Sequence, residues 1–256
     1  MMTTDPFRIV DAPLGTAAPA DPASRDALDS FRHVLGASAL TFVLWFVPFV
    51  GLILYPIRFF VTYVHELCHA FAAVLTLGWP IGVQIFLDTS GVTHTLGGLG
   101  MAISSAGYVG TPLVGALLLL LASRRSTIRP ALIGLGAIVG LSALWLGANF
   151  LAWAGGLAVG GLLLALGLKG SNRATRFGLS FLAIQCMLNA LSDLRFLFWL
   201  SIGSSAQTDA QNMAAATGGL VPAVVWTTLW AAIALGLLGV ALRLYYVTTV
   251  RKSIGE

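Results

Sequence analysis

The chain has 256 residues, of which 57% are hydrophobic and only 9% are charged, and its mean hydropathy is +0.89. This composition excludes an ordinary soluble globular domain and indicates a polytopic helical membrane protein. The net charge of +4 comes from lysines and arginines in predicted loops, so it predicts an orientation in the lipid bilayer and no nucleic-acid partner.

Residues 1–36 hold five of the ten acidic residues together with prolines and alanines. They contain no apolar run long enough for a signal peptide, and we predict a flexible polar tail. The transmembrane domain is predicted for residues 37–250, and residues 251–256 form a short basic C-terminal tail.

Seven apolar segments follow the tail, each near the roughly 20 residues that a helix needs to cross a bilayer. The fold class is therefore predicted to be all-α, a transmembrane helical bundle. It has six or seven spans, because prolines and a glycine in the first segment also permit a bent or re-entrant element. The segments are 38–57, 59–78, 98–122, 131–149, 151–168, 177–201 and 221–247.

A short β-hairpin is predicted after the second segment. Two short strands, Val83 to Leu87 and Val92 to Thr95, flank the polar turn Asp88-Thr89-Ser90-Gly91, a pattern typical of hairpins.

The uncharged stretch 131–168 would be about 57 Å long as one helix, which is too long for a single crossing. We predict two helices with a turn near residues 149–156. Small residues four positions apart in both arms predict that the arms pack closely. These are Gly136, Gly140, Gly156 and Gly160.

Lysines and arginines cluster in the predicted loops 124–129 and 169–176 and at the C-terminus. Since cytoplasmic loops carry an excess of these residues, we predict that all three lie in the cytoplasm. The opposite loops contain neither lysine nor arginine. They are residues 79–97, 150–155 and 202–220.

The second segment contains the pentapeptide His65-Glu66-Leu67-Cys68-His69, which is an HExxH motif of zinc hydrolases. Positions i and i+4 share a helix face, so His65 and His69 can hold one metal ion with Glu66 beside them. Helix-interface histidines are the simpler alternative, but they leave a carboxylate within the membrane unexplained. With Arg58 at the cytoplasmic start of this helix, His65 lies about 10 Å deep and His69 about 16 Å.

Two histidines do not complete a catalytic zinc site, which usually has three protein ligands and one open position. Asp193 is favoured as the third ligand because it is embedded in a late apolar helix, with Asn189 one turn earlier to support it by a hydrogen bond. Its alternative roles are an ion pair with Arg195 or the capping of a helix break. The other candidates have simpler interpretations. Asp88 and His94 are interpreted as turn residues, and Asp209 as a helix N-cap.

These pieces of sequence resemble the site-2 proteases, intramembrane zinc metalloproteases, and their compact bacterial branch in particular. The HExxH helix carries most of the resemblance, and the weaker matching pieces are Asp88 to Thr93, Ser105 to Tyr108 and Asn189 to Leu194. The resemblance implies Zn²⁺ held by His65, His69 and Asp193, and Glu66 as the catalytic base.

The resemblance further implies cleavage of membrane-anchored protein substrates in or near their transmembrane segments, with the hairpin accepting the substrate as an added strand. Cys68 stands where the family usually has glycine, and the family's Leu-Asp-Gly motif is replaced by Ser192-Asp193-Leu194. A catalytically degenerate relative that binds zinc or a partner is therefore the alternative function. A transporter is disfavoured because the HExxH helix has no counterpart in the second half of the chain.

Overall fold

The structure is a computed structural model that describes residues 31–40, 54–203 and 208–251. Within these ranges, the side chains of residues 189–193, 196, 201–203, 250 and 251 are not described. Most of the predicted tail at 1–36, most of the first apolar segment and nearly all of the C-terminal tail lie outside the described residues. The choice between six and seven spans therefore stays a prediction.

The described residues confirm a helical bundle with one short β-hairpin. Four of the helices, α3, α4, α5 and α8 in the order given next, are long and apolar enough to cross a membrane. In chain order the elements are α1 (31–40), α2 (Tyr55–Leu75), β1 (Trp79–Ile85), β2 (Gly91–Leu96), α3 (Gly100–Ala122), α4 (Arg125–Leu146), α5 (Phe150–Lys169), α6 (Asn172–Gly203), α7 (Asp209–Ala216) and α8 (Ala223–Tyr246), which continues as a π-helical turn (Val247–Arg251).

Helix α2 carries the HExxH motif and packs against α3 and the hairpin. It starts with Pro56 in its first turn, where the missing N–H of proline leaves no helical hydrogen bond unmade. One face buries large apolar side chains, among them Phe60 and Tyr63, together with Glu66 and His69. The motif therefore faces protein and not lipid.

The chain leaves α2 through a tight turn and comes back along the same helix as the hairpin. Strands β1 and β2 pair antiparallel, with Val83 opposite Thr93 and Ile85 opposite Gly91. At the hairpin tip, the Thr62 hydroxyl of α2 donates to the Thr89 carbonyl at 2.8 Å. The hairpin thus reaches more than three helical turns back from the end of α2, to the level of the motif and beyond.

Helices α4 and α5 form the predicted antiparallel pair, but the turn lies at residues 147–149 and overlaps the predicted range 149–156 only at its first residue. Asn149 ends the turn as the N-cap of α5, accepting a hydrogen bond from the Ala152 amide at 2.9 Å. A Cβ added to Gly160 would lie 2.7 Å from the Gly140 nitrogen, and one added to Gly136 would lie 2.8 Å from the Gly160 carbonyl oxygen. The predicted close approach of the two helices is confirmed.

Both arginine-rich connections lie at the same end of the bundle. The Arg129 guanidinium donates to the carbonyls of Gly167 at 2.9 Å and Gly170 at 2.7 Å, so the start of α4 meets the end of α5. The connections themselves are shorter than predicted, since Arg125 and Arg173 already lie in helices α4 and α6. Which side of the membrane this end faces stays a prediction.

Candidate metal centre

The HExxH side chains converge as their helical spacing predicts. One ligand atom each from His65, Glu66 and His69 can be chosen so that all three lie within 4.8 Å of one another. Glu66 is 4% exposed and His69 is 6% exposed. A buried group of two imidazoles and a carboxylate is costly unless its members are paired or bind a cation.

The ring of His69 is oriented by the first turn of α3. Its Nδ1 lies 2.6 Å from the carbonyl oxygen of Ile103. A carbonyl can only accept, so Nδ1 carries the proton and a neutral ring keeps its lone pair on Nε2. Backbone carbonyls that accept from the other ring nitrogen impose this arrangement on metal-binding histidines.

The ring of His65 is held by aromatic packing. Tyr108 of α3 meets it edge-on at a centroid distance of 4.7 Å, and the ring of His69 does the same at 4.8 Å. Tyr108 in turn stacks on the buried Trp230 of α8, with centroids 5.0 Å apart and planes 7° from parallel. Helices α3 and α8 thereby restrict the orientation of His65.

The hairpin supports Glu66. The Thr93 hydroxyl of β2 lies 2.7 Å from the Glu66 carboxylate oxygen Oε2 and 2.9 Å from the Glu66 carbonyl oxygen. A Cβ on Gly91 would lie 2.5 Å from Oε1 of the same carboxylate. Strand β2 can approach this closely because residue 91 has no side chain.

Helix α3 approaches the histidines just as closely at Gly107. A Cβ at this position would overlap Nε2 of both His65 and His69. The helix backbone therefore forms one wall of the site, and the space in front of the two Nε2 atoms holds nothing bulky from this wall. The small residue leaves room for an ion there.

Cys68 does not point into this space. Its sulfur packs against α3 at Gly110, where an added Cβ would lie 2.6 Å from Sγ. The thiol that departs from the family's glycine is therefore accommodated by a glycine on the facing helix.

Asp209, in the first turn of α7, brings a carboxylate to the histidines. Its Oδ2 lies 3.3 Å from Nε2 of His69 and 3.8 Å from Nε2 of His65. The predicted role of Asp209 as the N-cap is wrong. Thr208 is the cap, and its hydroxyl accepts a hydrogen bond from the Gln211 amide at 3.2 Å.

These three side chains fit a zinc ion. Bonds of 2.0 to 2.2 Å in tetrahedral geometry separate neighbouring ligand atoms by about 3.3 to 3.6 Å, close to both distances from Asp209 Oδ2. The donor set of two neutral imidazole nitrogens and one carboxylate oxygen also suits zinc, and leaves a fourth position open. His65, His69 and Asp209 would hold the ion from three directions.

The other predicted residues contribute differently. The side chains of Asp193 and Asn189 lie outside the described residues, so their roles as ligand and supporting residue stay predictions. Asp88 is exposed and accepts hydrogen bonds from Ser90 at the hairpin tip, as expected of a turn residue. His94 is exposed on β2.

The sequence contains a pattern that could have identified Asp209 as a site residue. Thr208 and Gln211 have the spacing of a capping box, S/T-x-x-E/Q, which identifies Thr208 as the N-cap. An aspartate in the next position is then not needed for capping and is available for another partner.

A family model described as Peptidase M50B-like matches residues 34–241 of this chain. The match covers the HExxH helix, the hairpin, α3 and the helix that carries Asp209. No curated protein and no solved structure matches the chain.

Proposed function

Because the chain belongs to the Peptidase M50B-like family of site-2 protease-like membrane metalloproteases, we propose that it is an intramembrane zinc endopeptidase. It hydrolyses peptide bonds in or near transmembrane segments of membrane-anchored protein substrates. One observation carries the proposal: a carboxylate from a distant helix lies against both HExxH imidazoles, 3.3 and 3.8 Å from their Nε2 atoms, with Glu66 beside them.

The proposed zinc ligands are His65, His69 and one aspartate. The distances above support Asp209. Asp193, which the sequence favours, is the alternative third ligand, with Asn189 as its supporting residue. Only one of them is needed, because three protein ligands leave the fourth position for water.

The chemistry follows from the chain's own groups. When bound, zinc supplies the positive charge that polarises a peptide carbonyl and activates water for attack. Glu66 accepts the proton of the attacking water and then donates it to the leaving amine. The hydroxyl of Thr93 holds one oxygen of Glu66, which directs the carboxylate towards the two histidines.

The outer edge of β2 suits an extended substrate. The Val83 carbonyl of β1 accepts from the Ala148 amide at 2.8 Å, so Val83 points its backbone groups away from β2. Its cross-strand partner Thr93 must then point its own groups away from β1. Within the described part of the chain, these groups have no backbone partner. A substrate strand paired here would pass beside Glu66, which supports strand addition as the binding mode.

The test compares two aspartate variants for zinc content after purification in detergent. We expect Asp209→Asn to lose most of the zinc and Asp193→Asn to retain it. Zinc retained in Asp209→Asn and lost in Asp193→Asn would make Asp193 the third ligand. Zinc retained in both variants would contradict the three-ligand site.

Activity is tested separately, by cleavage of fluorescein-labelled casein and of a membrane-anchored reporter, with and without a chelator. We expect chelator-sensitive cleavage that zinc restores. A protein that holds zinc in stoichiometric amount and cleaves neither probe would instead be the degenerate relative.

A further inference from the structure

Strand β1 has its outer edge closed by the turn between α4 and α5. The Asn149 side chain takes the place of a third strand there. Its amide nitrogen donates to the Ile85 carbonyl at 2.7 Å, and its oxygen accepts from the Ile85 amide at 3.3 Å. Together with the bond from the Ala148 amide to the Val83 carbonyl, this pairs both outward groups of Ile85 and the outward carbonyl of Val83.

The same side-chain oxygen caps α5 by accepting from the Ala152 amide at 2.9 Å. The orientation of the amide is unambiguous, since its two oxygen contacts are N–H donors and its nitrogen contact is a carbonyl acceptor. Asn149 thus ties the hairpin to the start of α5 through three hydrogen bonds.

An open sheet edge is costly at membrane depth, because no water is present to satisfy its N–H and C=O groups. Closing the edge of β1 leaves the outer edge of β2 as the place where a strand can pair. The outer edge of β2 lies next to Glu66, because the Thr93 hydroxyl of β2 is 2.7 Å from the Glu66 carboxylate.

We propose that Asn149 is a positioning residue for the hairpin: it fixes β1 against the α4–α5 turn, and so sets the place of Thr93 on Glu66 and of the strand-pairing edge. The inference rests on the proposed function for its catalytic consequence. The hydrogen bonds of the Asn149 side chain go to Ile85 and Ala152, so we expect it to act on Glu66 through the hairpin.

The test uses substitutions that keep the helix cap. Asn149→Asp and Asn149→Ser both retain an oxygen that can accept from the Ala152 amide, since aspartate and serine are good N-cap residues. In Asn149→Asp, a carboxylate oxygen replaces the amide nitrogen that donates to the Ile85 carbonyl, so this hydrogen bond is lost. In Asn149→Ser, the side chain is too short to bond both the N–H and the C=O of Ile85. Both variants therefore release the hairpin while α5 stays capped.

Ser171→Ala is the matched control. It removes a cap at the other end of the bundle, where Ser171 Oγ accepts from the Ala174 amide at 3.2 Å. It costs about 1 kcal/mol of stability without touching the hairpin. A general loss of stability would therefore appear in the control as well.

We expect both Asn149 variants to keep their zinc, to exchange the Ile85 and Ala148 amide hydrogens faster, and to lose kcat on fluorescein-labelled casein by about tenfold or more. The Ser171→Ala protein should match the unsubstituted protein in both amides and in kcat. The inference is overturned if kcat is normal in the Asn149 variants, if the two amides exchange at the unsubstituted rate, or if zinc is lost.

Failure of the proposed function has a different signature. In that case the unsubstituted protein itself cleaves neither casein nor the reporter. The exchange rates of the Ile85 and Ala148 amides then decide alone whether Asn149 holds the hairpin.

Discussion

In the proposed mechanism, Glu66 is the residue that is needed for the chemistry but not for metal binding. In the proposed site it lies beside the two imidazoles, is not one of the three ligands, and has its carboxylate hydrogen-bonded to Thr93. Glu66→Gln should retain zinc and lose cleavage by at least about 100-fold, because general bases contribute factors of this size. His65→Ala should lose zinc and cleavage together. Cleavage at the normal rate by Glu66→Gln would show that the base is another group.

Cys68 and Gly110 form a matched pair across α2 and α3. Gly110→Ala places a Cβ 2.6 Å from Cys68 Sγ and should destabilise the protein by about 1 to 3 kcal/mol. In a Cys68→Gly background the same change should cost much less, which gives a coupling energy of at least about 0.5 kcal/mol. Thermal unfolding of the four proteins in detergent measures this cycle, and additive effects would contradict the contact.

At the residue scale, the sequence predicted the site residues that are neighbours along the chain. It did not predict which distant residue the fold brings to them. His65, Glu66 and His69 follow from one helical turn, so their spacing alone predicts a shared face. Asp209 is separated from them by the hairpin and four helices. Its approach to the histidines depends on how α7 packs on α3, and no pattern of neighbouring residues predicts that packing.

Helices α4 and α5 offer a test of packing with its own control. Gly160→Ala would put a Cβ within 2.8 Å of the Gly140 and Gly136 backbones, whereas a Cβ on Gly140 would meet nothing within 4 Å. Both changes raise helix propensity by similar amounts. We expect Gly160→Ala to destabilise the protein by about 1 to 3 kcal/mol and Gly140→Ala to be neutral or stabilising, measured by thermal unfolding. Equal effects would contradict the close packing of the two helices.

At the element scale, periodicity and length predicted the long helices and the existence of the hairpin, but the first strand runs from Trp79 to Ile85 and not from Val83 to Leu87. The predicted helix boundaries were wrong where arginines lie within helices. Arg125 and Arg173 were assigned to loops, but they lie in α4 and α6. The closed edge of β1 was not predictable, because it depends on residues 148 and 149, far from the strand in sequence and next to it only in the fold.

The whole molecule has two chemically different ends. One carries Arg129 and its partners at the end of α5 and in the α5–α6 connection. At the other, Trp79 and Trp145 form an exposed pair with centroids 6.0 Å apart, which suits a membrane interface. We propose that the arginine-rich end is cytoplasmic.

Cysteines introduced at three exposed positions test this orientation. Leu77 is 97% exposed after α2, and Leu220 is 88% exposed before α8. In intact cells, an impermeant thiol reagent should label Leu77→Cys and Leu220→Cys and leave Ser126→Cys unlabelled. The opposite pattern would invert the topology and put the arginine-rich loops outside.

Asp209 lies 144 residues after His65, so it is synthesised well after both histidines. With Asp209 as a ligand, the ribosome must complete α2 to α6 before the last donor atom emerges. The nascent chain therefore passes through the insertion machinery, in contact with other unfolded membrane segments, without a finished hydrolytic centre. In the proposed site, the ability to hydrolyse neighbouring proteins therefore arises only when α7 docks, so maturation and activation would be the same event.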